Sequence, residues 1–408
     1  MTYGTNTVPA RVVIVGASAA GLAVAEGLRR LGFEGRLTLI GEEPEIPYDR
    51  PPLSKQLLSG AWEPERLSLR SAEALAGLDL DLRLGERAVA LDTRNRDVVL
   101  ERQQRVGYDQ LVVATGARAR HLPGTEGTEG LHVLRTLGDA LSLRAALGAG
   151  TRLVIVGGGF VGAEAASVAR QLGCEVSLVT DTEAPMSDAL GTEVGAMLGE
   201  VHAEHGVHVE TGASVEAVLT RGGRATGVRL ADGRSLHADA VLLGIGARPN
   251  VEWLAGSGVP IADGVECDSR LYAGNGVWAA GDIASWPDLA TGQRLRIEHR
   301  TNAGEQGLAV ARNILAGPEA ATPFTTVPYV WSDQYDLRIQ IHGRTRGTDQ
   351  FRVMEGSLTE RRFTALYGRN GHVHAAIGIN MMRPLRSLRP LVAARTPWPE
   401  IHGAFAAT

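Results

Sequence analysis

The sequence predicts an α/β protein in which one strand–turn–helix–strand unit occurs twice. The segment Arg11–Gly16 recurs as Arg152–Gly157, and the register holds without a gap to the end of the following helix. In each copy an apolar strand leads into a glycine-rich turn, an alanine-rich helix and a second apolar strand. An acidic residue follows each second strand, Glu42 in the first copy and Asp181 in the second.

Both turns have the spacing of a Rossmann-like dinucleotide-binding unit. Its three positions are filled by Gly157, Gly159 and Gly162 in the second copy and by Gly16, Ser18 and Gly21 in the first. The first position makes the tight turn, the second admits a pyrophosphate and the third lets helix and strand pack closely. The helix N-terminus attracts phosphate, and the acid can bind a ribose hydroxyl. Ser18 is acceptable in a glycine position if its backbone does not need a positive φ.

Two such units favour two dinucleotides, and FAD with a nicotinamide is the expected pair because hydride passes directly between them. The alternative is a pair of glycine-rich turns in an α/β fold that binds no ligand.

Composition narrows the class of protein further. The 408 residues suffice for two or three domains, and 51 of them are glycine. A net charge of −5 gives no reason to expect nucleic acid or an anionic membrane as a partner. We find no apolar run of membrane-spanning length, no signal-peptide pattern and no histidine spacing typical of a metal site. With only Cys174 and Cys267 we expect a reducing, cytoplasmic location.

The segment Tyr48–Lys55, Tyr-Asp-Arg-Pro-Pro-Leu-Ser-Lys, resembles a motif of the FAD-dependent ferredoxin reductases of bacterial oxygenase systems. Further blocks resemble this family in the same order and extend over nearly the whole chain: Ala114–Gly116, Gly157–Glu164, Gly244–Asn250, Ala279–Asp282, Asn302–Gly307 and Trp331–Gln334. The resemblance implies a glutathione-reductase-like fold with two Rossmann-like domains and a C-terminal α/β domain. We expect an FAD domain at residues 1–117 and 245–325, an NAD domain at 118–244 and the C-terminal domain at 326–408.

The resemblance also implies which residues hold the cofactors. Those for FAD are Gly16, Ser18, Ala20, Gly21, Glu42, Arg50, Lys55, Thr115, Gly116, Asp282 and Trp331. Those for NAD are Gly157, Gly159, Gly162, Asp181 and Gly246. In this scheme Glu42 holds the adenosine ribose, Asp282 bonds the ribityl chain and Arg50 contacts the phosphates or the ring edge. The alternatives are a solvated acid for Glu42, a surface ion pair for Arg50 and a core position for Trp331.

Lys55 is the only lysine in the chain, since the other 40 basic residues are arginine. The resemblance implies that Lys55 lies beside the flavin and pairs with Glu164 on the second dinucleotide helix, and we expect these two residues to be catalytic. Such a pair could stabilise charge as the ring gains a hydride. The alternative places Lys55 on the surface and Glu164 on a solvated helix face. We also expect His299 to lie near the start of a helix at Thr301 whose N-terminus could face the flavin.

The loop after the second strand of the NAD unit predicts the nicotinamide. Many relatives have glutamate directly after this strand, whereas here that position is Thr180 and the acid is Asp181. Residues 180–185 contain Asp181 and Glu183 and no arginine, so a 2′-phosphate would meet negative charge without a partner. We therefore predict NADH as the donor.

Residues 326–408 carry 11 arginines against six acids, and the arginines at 383, 386, 389 and 395 cluster. An acidic 2Fe–2S ferredoxin could be steered transiently to this region, and a solvated basic face is an equal alternative. Neither glycine-turn helix contains a redox cysteine, which argues against disulfide reduction and against an NADH oxidase or peroxidase. The remaining alternatives are a rubredoxin reductase and an NADH-sensing flavoprotein like apoptosis-inducing factor. We expect a monomer or a weak homodimer.

Overall fold

The structure is a computed structural model, and it describes residues 9–401. The strands in this range are β1 (Arg11–Val15), β2 (Arg36–Gly41), β3 (Asp81–Leu84), β4 (Ala88–Asp92), β5 (Asp97–Leu100), β6 (Arg105–Gly107), β7 (Gln110–Val113), β8 (Ala117–Ala119), β9 (Leu131–His132), β10 (Arg152–Val156), β11 (Glu175–Val179), β12 (His208–Glu210), β13 (Val215–Arg221), β14 (Arg224–Leu230), β15 (Ser235–His237), β16 (Ala240–Leu243), β17 (Ala247–Pro249), β18 (Ile261–Ala262), β19 (Gly264–Glu266), β20 (Tyr272–Gly274), β21 (Val277–Ala279), β22 (Ala284–Pro287), β23 (Arg294–Leu295), β24 (Tyr329–Gln334), β25 (Leu337–Gly343), β26 (Gln350–Ser357), β27 (Arg362–Arg369) and β28 (His372–Ile379).

The α-helices of the same range are α1 (Ala19–Arg30), α2 (Ala72–Ala76), α3 (Leu137–Ala146), α4 (Phe160–Gln171), α5 (Ser187–Leu190), α6 (Thr192–Glu204), α7 (Arg300–Ala316) and α8 (Met382–Ala393). Within residues 9–401 we find no helix that combines the length and the apolar character needed to span a membrane.

The described chain divides into two compact units. The first contains the residues up to Asp49 together with Glu65–Arg118 and Arg248–Thr326. Its main sheet has the strand order β20-β21-β7-β1-β2-β3, in which all neighbours except β20 and β21 are parallel. Helices α1 and α7 pack against each other, and their buried residues join the core of this sheet.

The second unit contains Arg50–Pro64, Ala119–Ala247 and the chain from Val327. One of its sheets is fully parallel, with the order β12-β11-β10-β16-β9. Another is antiparallel, with the order β24-β25-β28-β27-β26, and it packs against α8 on one side. Residues of α6 and α4 share a second apolar cluster with this antiparallel sheet.

The sequence repeat has a direct structural counterpart. Strand β1 lies between β2 and β7, and β10 lies in the same way between β11 and β16, with parallel pairing throughout. Both strands are buried on both faces, as their unbroken apolar sequences require. The predicted fold class, with two Rossmann-like units and a C-terminal α/β part, is confirmed.

The three-domain division stays a prediction. The limits of the compact units at Arg118, Ala247 and Thr326 lie within three residues of the predicted boundaries. The segment Arg50–Pro64, which we expected to belong with the FAD domain, groups with the second unit instead. The reason is local packing, because its short 3₁₀ turn Pro51–Ser54 contacts α3 and α4.

Candidate functional site

The first glycine turn is shaped by close backbone contacts. Gly16 has φ +120°, and a Cβ there would overlap the carbonyl group of Ala114. A Cβ at Gly21 would overlap the carbonyl oxygen of Gly16, so α1 can lie this near β1 only with glycine at that position. Ser18 has φ −132° and lies in extended backbone before α1, so this position does not require glycine. Ala20 is buried in the first turn of the helix.

The second turn repeats this geometry with one informative difference. Gly157 has φ +109° and lies against the Gly244 carbonyl, and a Cβ at Gly162 would overlap the Gly157 carbonyl oxygen. At Gly159, however, a Cβ would meet no atom within 4 Å. Gly159 is the N-cap of α4, so open space adjoins the unpaired N–H groups at the start of a 12-residue helix. The turn thus fits a pyrophosphate.

The two predicted ribose acids are both accessible. Glu42 lies just beyond β2, and its carboxylate is 3.5 Å from the guanidinium of Arg87, with both side chains more than half exposed. Asp181 and Glu183 are exposed in the loop after β11. Thr180, which precedes them, is buried and its hydroxyl bonds that of Thr182. The acidic side chains of this loop therefore face solvent, whereas Thr180 and Thr182 form hydrogen bonds within the loop.

Thr115 and Gly116 are fixed in the first unit by Asn250. The Thr115 hydroxyl donates to the Asn250 carbonyl at 3.0 Å, and the Asn250 side-chain amide donates to the Thr115 carbonyl at 2.9 Å. Gly116 has φ +64° and accepts a bond from the Asn250 N–H. In the second unit Gly246 has φ +91°, and its carbonyl accepts from the N–H of Arg120.

Asp282 lies in a short 3₁₀ turn that follows β21. The N–H of Gly281 in this turn donates to the buried side chain of Gln306 on α7, at 2.8 Å. The Asp282 side chain is only partly buried, and it is presented from a rigid turn. Helix α7 starts at Arg300, one residue earlier than predicted, and His299 is its N-cap.

Lys55 and Glu164 form a buried ion pair in the second unit. The Lys55 Nζ lies 2.7 Å from Glu164 Oε2, and the two side chains are 10% and 5% exposed. The ammonium also donates to the Pro51 carbonyl at 3.0 Å. The Ser54 hydroxyl donates to Glu164 Oε2, and the Ser332 hydroxyl donates to Oε1 at 2.7 Å. Each carboxylate oxygen and the ammonium thus have hydrogen-bond partners, as a buried pair requires.

Arg50 and Trp331 belong to this same second unit. The Arg50 guanidinium donates to the Arg135 carbonyl at 2.7 Å. Trp331 is partly buried on β24, and its ring lies near that of Tyr329, with centroids 5.9 Å apart. The remaining residues predicted for FAD, which are Gly16, Ser18, Ala20, Gly21, Glu42, Thr115, Gly116 and Asp282, lie in the first unit.

Two hydrogen-bond partners of Glu164, the hydroxyl groups of Ser54 and Ser332, were not predicted from the sequence. Ser54 directly precedes Lys55, and Ser332 lies on the same side of β24 as Gln334, which bonds it, so adjacency and strand period offered some indication of the two serines. His202, which bonds Gln334, gave no comparable indication. Among residues 9–401 no group of three or more His, Cys, Asp or Glu side chains is arranged to hold a metal ion.

Residues 10–307 match the model of the pyridine nucleotide-disulphide oxidoreductases, and residues 329–402 match that of the reductase C-terminal domain. The chain therefore belongs to the pyridine nucleotide-disulphide oxidoreductase family and is an oxidoreductase. The resemblance predicted from the sequence is confirmed.

Individual relatives are similar over nearly their full length. A rhodocoxin reductase of Rhodococcus erythropolis is 35% identical over 388 residues, covering 95% of this chain and 90% of its own. A putidaredoxin reductase of Pseudomonas putida is 34% identical over 397 residues, with 95% and 92% covered. The crystal structure of the covalent putidaredoxin reductase–putidaredoxin complex superposes with a TM-score of 0.89 at 32% identity, covering 98% of this chain and 99% of that one.

Proposed function

We propose that the protein is an NADH-dependent FAD flavoprotein that passes electrons to a 2Fe–2S ferredoxin serving a monooxygenase or dioxygenase. The observation that carries this proposal is the full-length similarity to relatives named as ferredoxin reductases of such systems. One of them is the ferredoxin–NAD(+) reductase component of a p-cumate 2,3-dioxygenase system from Pseudomonas putida, at 38% identity over 338 residues.

The first unit supplies the proposed FAD site. We assign the pyrophosphate to the turn formed by Gly16, Ser18, Ala20 and Gly21, because its helix N-terminus is built for an anion. The exposed Glu42 would hold the adenosine ribose, and Asp282 would bond the ribityl chain from the turn that Gln306 fixes. Thr115 and Gly116 would line the FAD site with their backbone atoms. For Arg50, Lys55 and Trp331, which belong to the second unit, the assignment to FAD rests on the family resemblance alone.

The second unit supplies the proposed NAD site. We assign the pyrophosphate to the turn of Gly157, Gly159 and Gly162, where the open space at Gly159 supports the assignment. Asp181 would accept a hydrogen bond from the adenosine ribose, and Gly246 would lie along the nucleotide. Asp181 and Glu183 both repel a 2′-phosphate, so we propose NADH as the donor.

When bound, the flavin accepts a hydride and releases electrons one at a time, which no amino-acid side chain can do. The protein's own part is binding, orientation and electrostatics. Glu164 holds the Lys55 ammonium at one point, and Ser54, Ser332 and the Pro51 carbonyl keep that geometry fixed. A positive charge fixed in a desolvated place acts more strongly on developing negative charge than a mobile charge in water does.

The cysteines do not support disulfide reduction. Cys174 and Cys267 are both buried. Burial raises the pKa of the Cys174 thiol and raises the pKa of Cys267 to about 12. Since the thiolate is the nucleophile in thiol–disulfide exchange, neither residue fits a redox role.

Helix α8 offers a surface for the ferredoxin. Its apolar side, which includes Leu385 and Leu388, is buried, whereas Arg383, Arg386 and Arg389 are exposed at intervals of three residues. Residues three apart share a helix face, so three positive charges are presented together. We propose that an acidic ferredoxin docks transiently against this face.

The test is reduction of cytochrome c by NADH and the purified holoenzyme, with and without an added 2Fe–2S ferredoxin. We expect ferredoxin to raise the rate at least about tenfold, because it relays single electrons that the enzyme alone delivers poorly. Rapid flavin reduction with no stimulation would contradict the ferredoxin as acceptor. Slow flavin reduction by NADH would contradict the reductase itself and favour an NADH-sensing role.

A further inference from the structure

A series of buried polar side chains extends from Glu164 through the second unit. Gln334 donates from Nε2 to the Ser332 hydroxyl at 3.2 Å, and Ser332 donates onward to Glu164 Oε1 at 2.7 Å. The Gln334 Oε1 lies 3.0 Å from His202 Nε2, and His202 Nδ1 lies 3.0 Å from the Tyr335 hydroxyl. We call Ser332, Gln334, His202 and Tyr335 the polar chain.

The donors of the polar chain all point toward Glu164. The Glu164 carboxylate faces the Lys55 ammonium, and an ionised carboxylate can only accept, so Ser332 must donate to it. The Ser332 oxygen then accepts from the amide of Gln334, which leaves the Gln334 carbonyl to accept from His202 Nε2–H. With its proton on Nε2, His202 accepts at Nδ1 from the Tyr335 hydroxyl.

Burial makes this arrangement obligatory. Ser332 and His202 are 0% exposed and Gln334 is 1% exposed, so water cannot replace a lost partner. Burial also lowers the pKa of His202 to about 4, which keeps the imidazole neutral with one proton at physiological pH. A single proton forces one nitrogen to donate and the other to accept.

The far end of the polar chain is anchored to two helices. The Tyr335 N–H donates to the Ser167 hydroxyl on α4 at 2.7 Å, and the Tyr335 ring stacks on His205, the C-cap of α6, with centroids 3.7 Å apart. Tyr335 has φ +54° in the turn between β24 and β25, a strained conformation that only firm contacts maintain. Ser167 and Glu164 are three residues apart on α4, so the β24–β25 turn is fixed beside the helix face that carries the carboxylate.

We propose that His202, Gln334 and Ser332 are positioning residues that hold the Glu164 carboxylate in the orientation that receives Lys55. This inference rests on the proposed function for its catalytic consequence, and on the contacts above for its structural one. Loss of the His202 donor leaves the Gln334 carbonyl unpaired in the core. The Gln334 side chain is then no longer fixed at its far end, so Ser332 and, through it, the Glu164 carboxylate lose their fixed orientation.

The test uses the holoenzyme with His202→Met, Gln334→Met and Ser332→Ala. His202→Gln keeps an amide donor near the position of Nε2 and serves as the rescue variant. His132→Met is the control, because His132 is a partly buried histidine of the same unit and bonds Ser142 rather than the polar chain. Thermal unfolding and flavin content verify that each variant folds.

The first measurement is the side-chain NMR signal of Lys55 in protein labelled with ¹³C-lysine. Because Lys55 is the only lysine in the sequence, the signal needs no assignment. We expect His202→Met, Gln334→Met and Ser332→Ala to shift this signal in the same direction, His202→Gln to recover most of the shift, and His132→Met to leave it in place. An unmoved signal in folded His202→Met or Gln334→Met protein overturns the positioning role.

The second measurement is the rate constant of flavin reduction by NADH in a stopped-flow instrument. We expect the variants that shift the lysine signal to slow this step by at least about fivefold, because an interaction supporting the reaction is displaced. If the lysine signal shifts and the rate does not change, the polar chain positions Glu164 and the proposed catalytic role of the pair is wrong. The two failures are thereby distinguished.

Discussion

At the scale of single residues, the Lys55 ammonium and the Glu164 carboxylate are each stable in the interior only because the other is present. The family resemblance implied that Lys55 and Glu164 pair, and the structure contains this pair; their position beside the flavin and their catalytic role stay predictions. The resemblance implied no role for Ser332 or His202, and hydrogen bonds between residues so distant in sequence become visible only in the folded structure.

Removing one member of the pair leaves a buried charge without compensation. We therefore expect Lys55→Met to lower the free energy of unfolding by about 3–5 kcal/mol, and Glu164→Leu to do the same. The double variant should lose less than the sum of the two, because it buries no charge. Chemical denaturation of the four proteins measures this cycle, and strictly additive losses would show that the two groups are not coupled.

If Asp181 and Glu183 after β11 select NADH over NADPH, substituting them should weaken or reverse that preference. In Asp181→Ser combined with Glu183→Arg, we expect kcat/KM for NADPH to rise at least about tenfold, because a 2′-phosphate gains a charged partner. Glu175→Arg adds two of the three charge units of the double variant at the opposite end of β11 and is the control. An equal gain in the control would mean that general electrostatic attraction, rather than contact at this loop, determines the preference.

At the scale of elements, the β10–α4 turn contains two glycines with different roles. Gly162 permits close packing of the backbone, whereas Gly159 leaves open space at the start of the helix. We expect Gly162→Ala to destabilise the protein by at least about 2 kcal/mol, because its Cβ overlaps the Gly157 carbonyl oxygen. Gly159→Ala meets open space at φ −77°, so its stability should stay within about 1 kcal/mol.

The same pair of variants tests the nucleotide site. We expect Gly159→Ala to raise KM for NADH at least about fivefold, since a methyl group would occupy the space through which the pyrophosphate approaches. Steady-state kinetics and thermal unfolding on both proteins provide the comparison. A Gly159→Ala enzyme with unaltered KM would argue against pyrophosphate binding at this turn.

The proposed docking of a ferredoxin at helix α8 can be tested by substitution of its arginines. We expect Arg386→Glu and Arg389→Glu each to raise KM for an acidic ferredoxin about tenfold at low salt and less at high salt, because screening weakens steering. Arg221→Glu, an equal charge change at an exposed position on β13, is the control. Ferricyanide reduction by NADH, which needs no docking, should be similar in all three. Equal effects of all three substitutions on KM would indicate bulk charge rather than docking at α8.

At the scale of the whole molecule, the repeat alone predicts two parallel sheets with equivalent central strands, because periodic apolar strands and glycine turns are local properties. The grouping of Arg50–Pro64 with the second unit was not predictable in this way. It depends on packing of the Pro51–Ser54 turn against α3 and α4, which lie far along the sequence from this turn.

Stability should fall in mild acid. The pKa of buried His202 is about 4 in the folded protein against an ordinary value of 6.5, so the unfolded chain takes up this proton first. The stability present above pH 6.5 is therefore lost as the pH falls toward 4, by up to about 3 kcal/mol from this group. Burial lowers the pKa of His132, His342 and His374 in the same direction.

Urea unfolding at about pH 7 and pH 4.5 measures this loss, with His202→Gln for comparison. We expect the variant to lose less stability than the unaltered protein over this interval, because glutamine does not titrate. An identical loss in both proteins would mean that His202 does not contribute to the acid sensitivity.

The ion pair between Lys55 and Glu164 also affects how the protein reacts with acylating reagents. Such reagents attack the free amine, and here the only side-chain amine is bonded to a carboxylate and a carbonyl group and is largely covered. Acylation of Lys55 therefore requires the segment around it to open, at a rate that reflects the free energy of that opening. One modified residue, quantified by mass spectrometry over time, would thus report local unfolding of the second unit without any engineered probe.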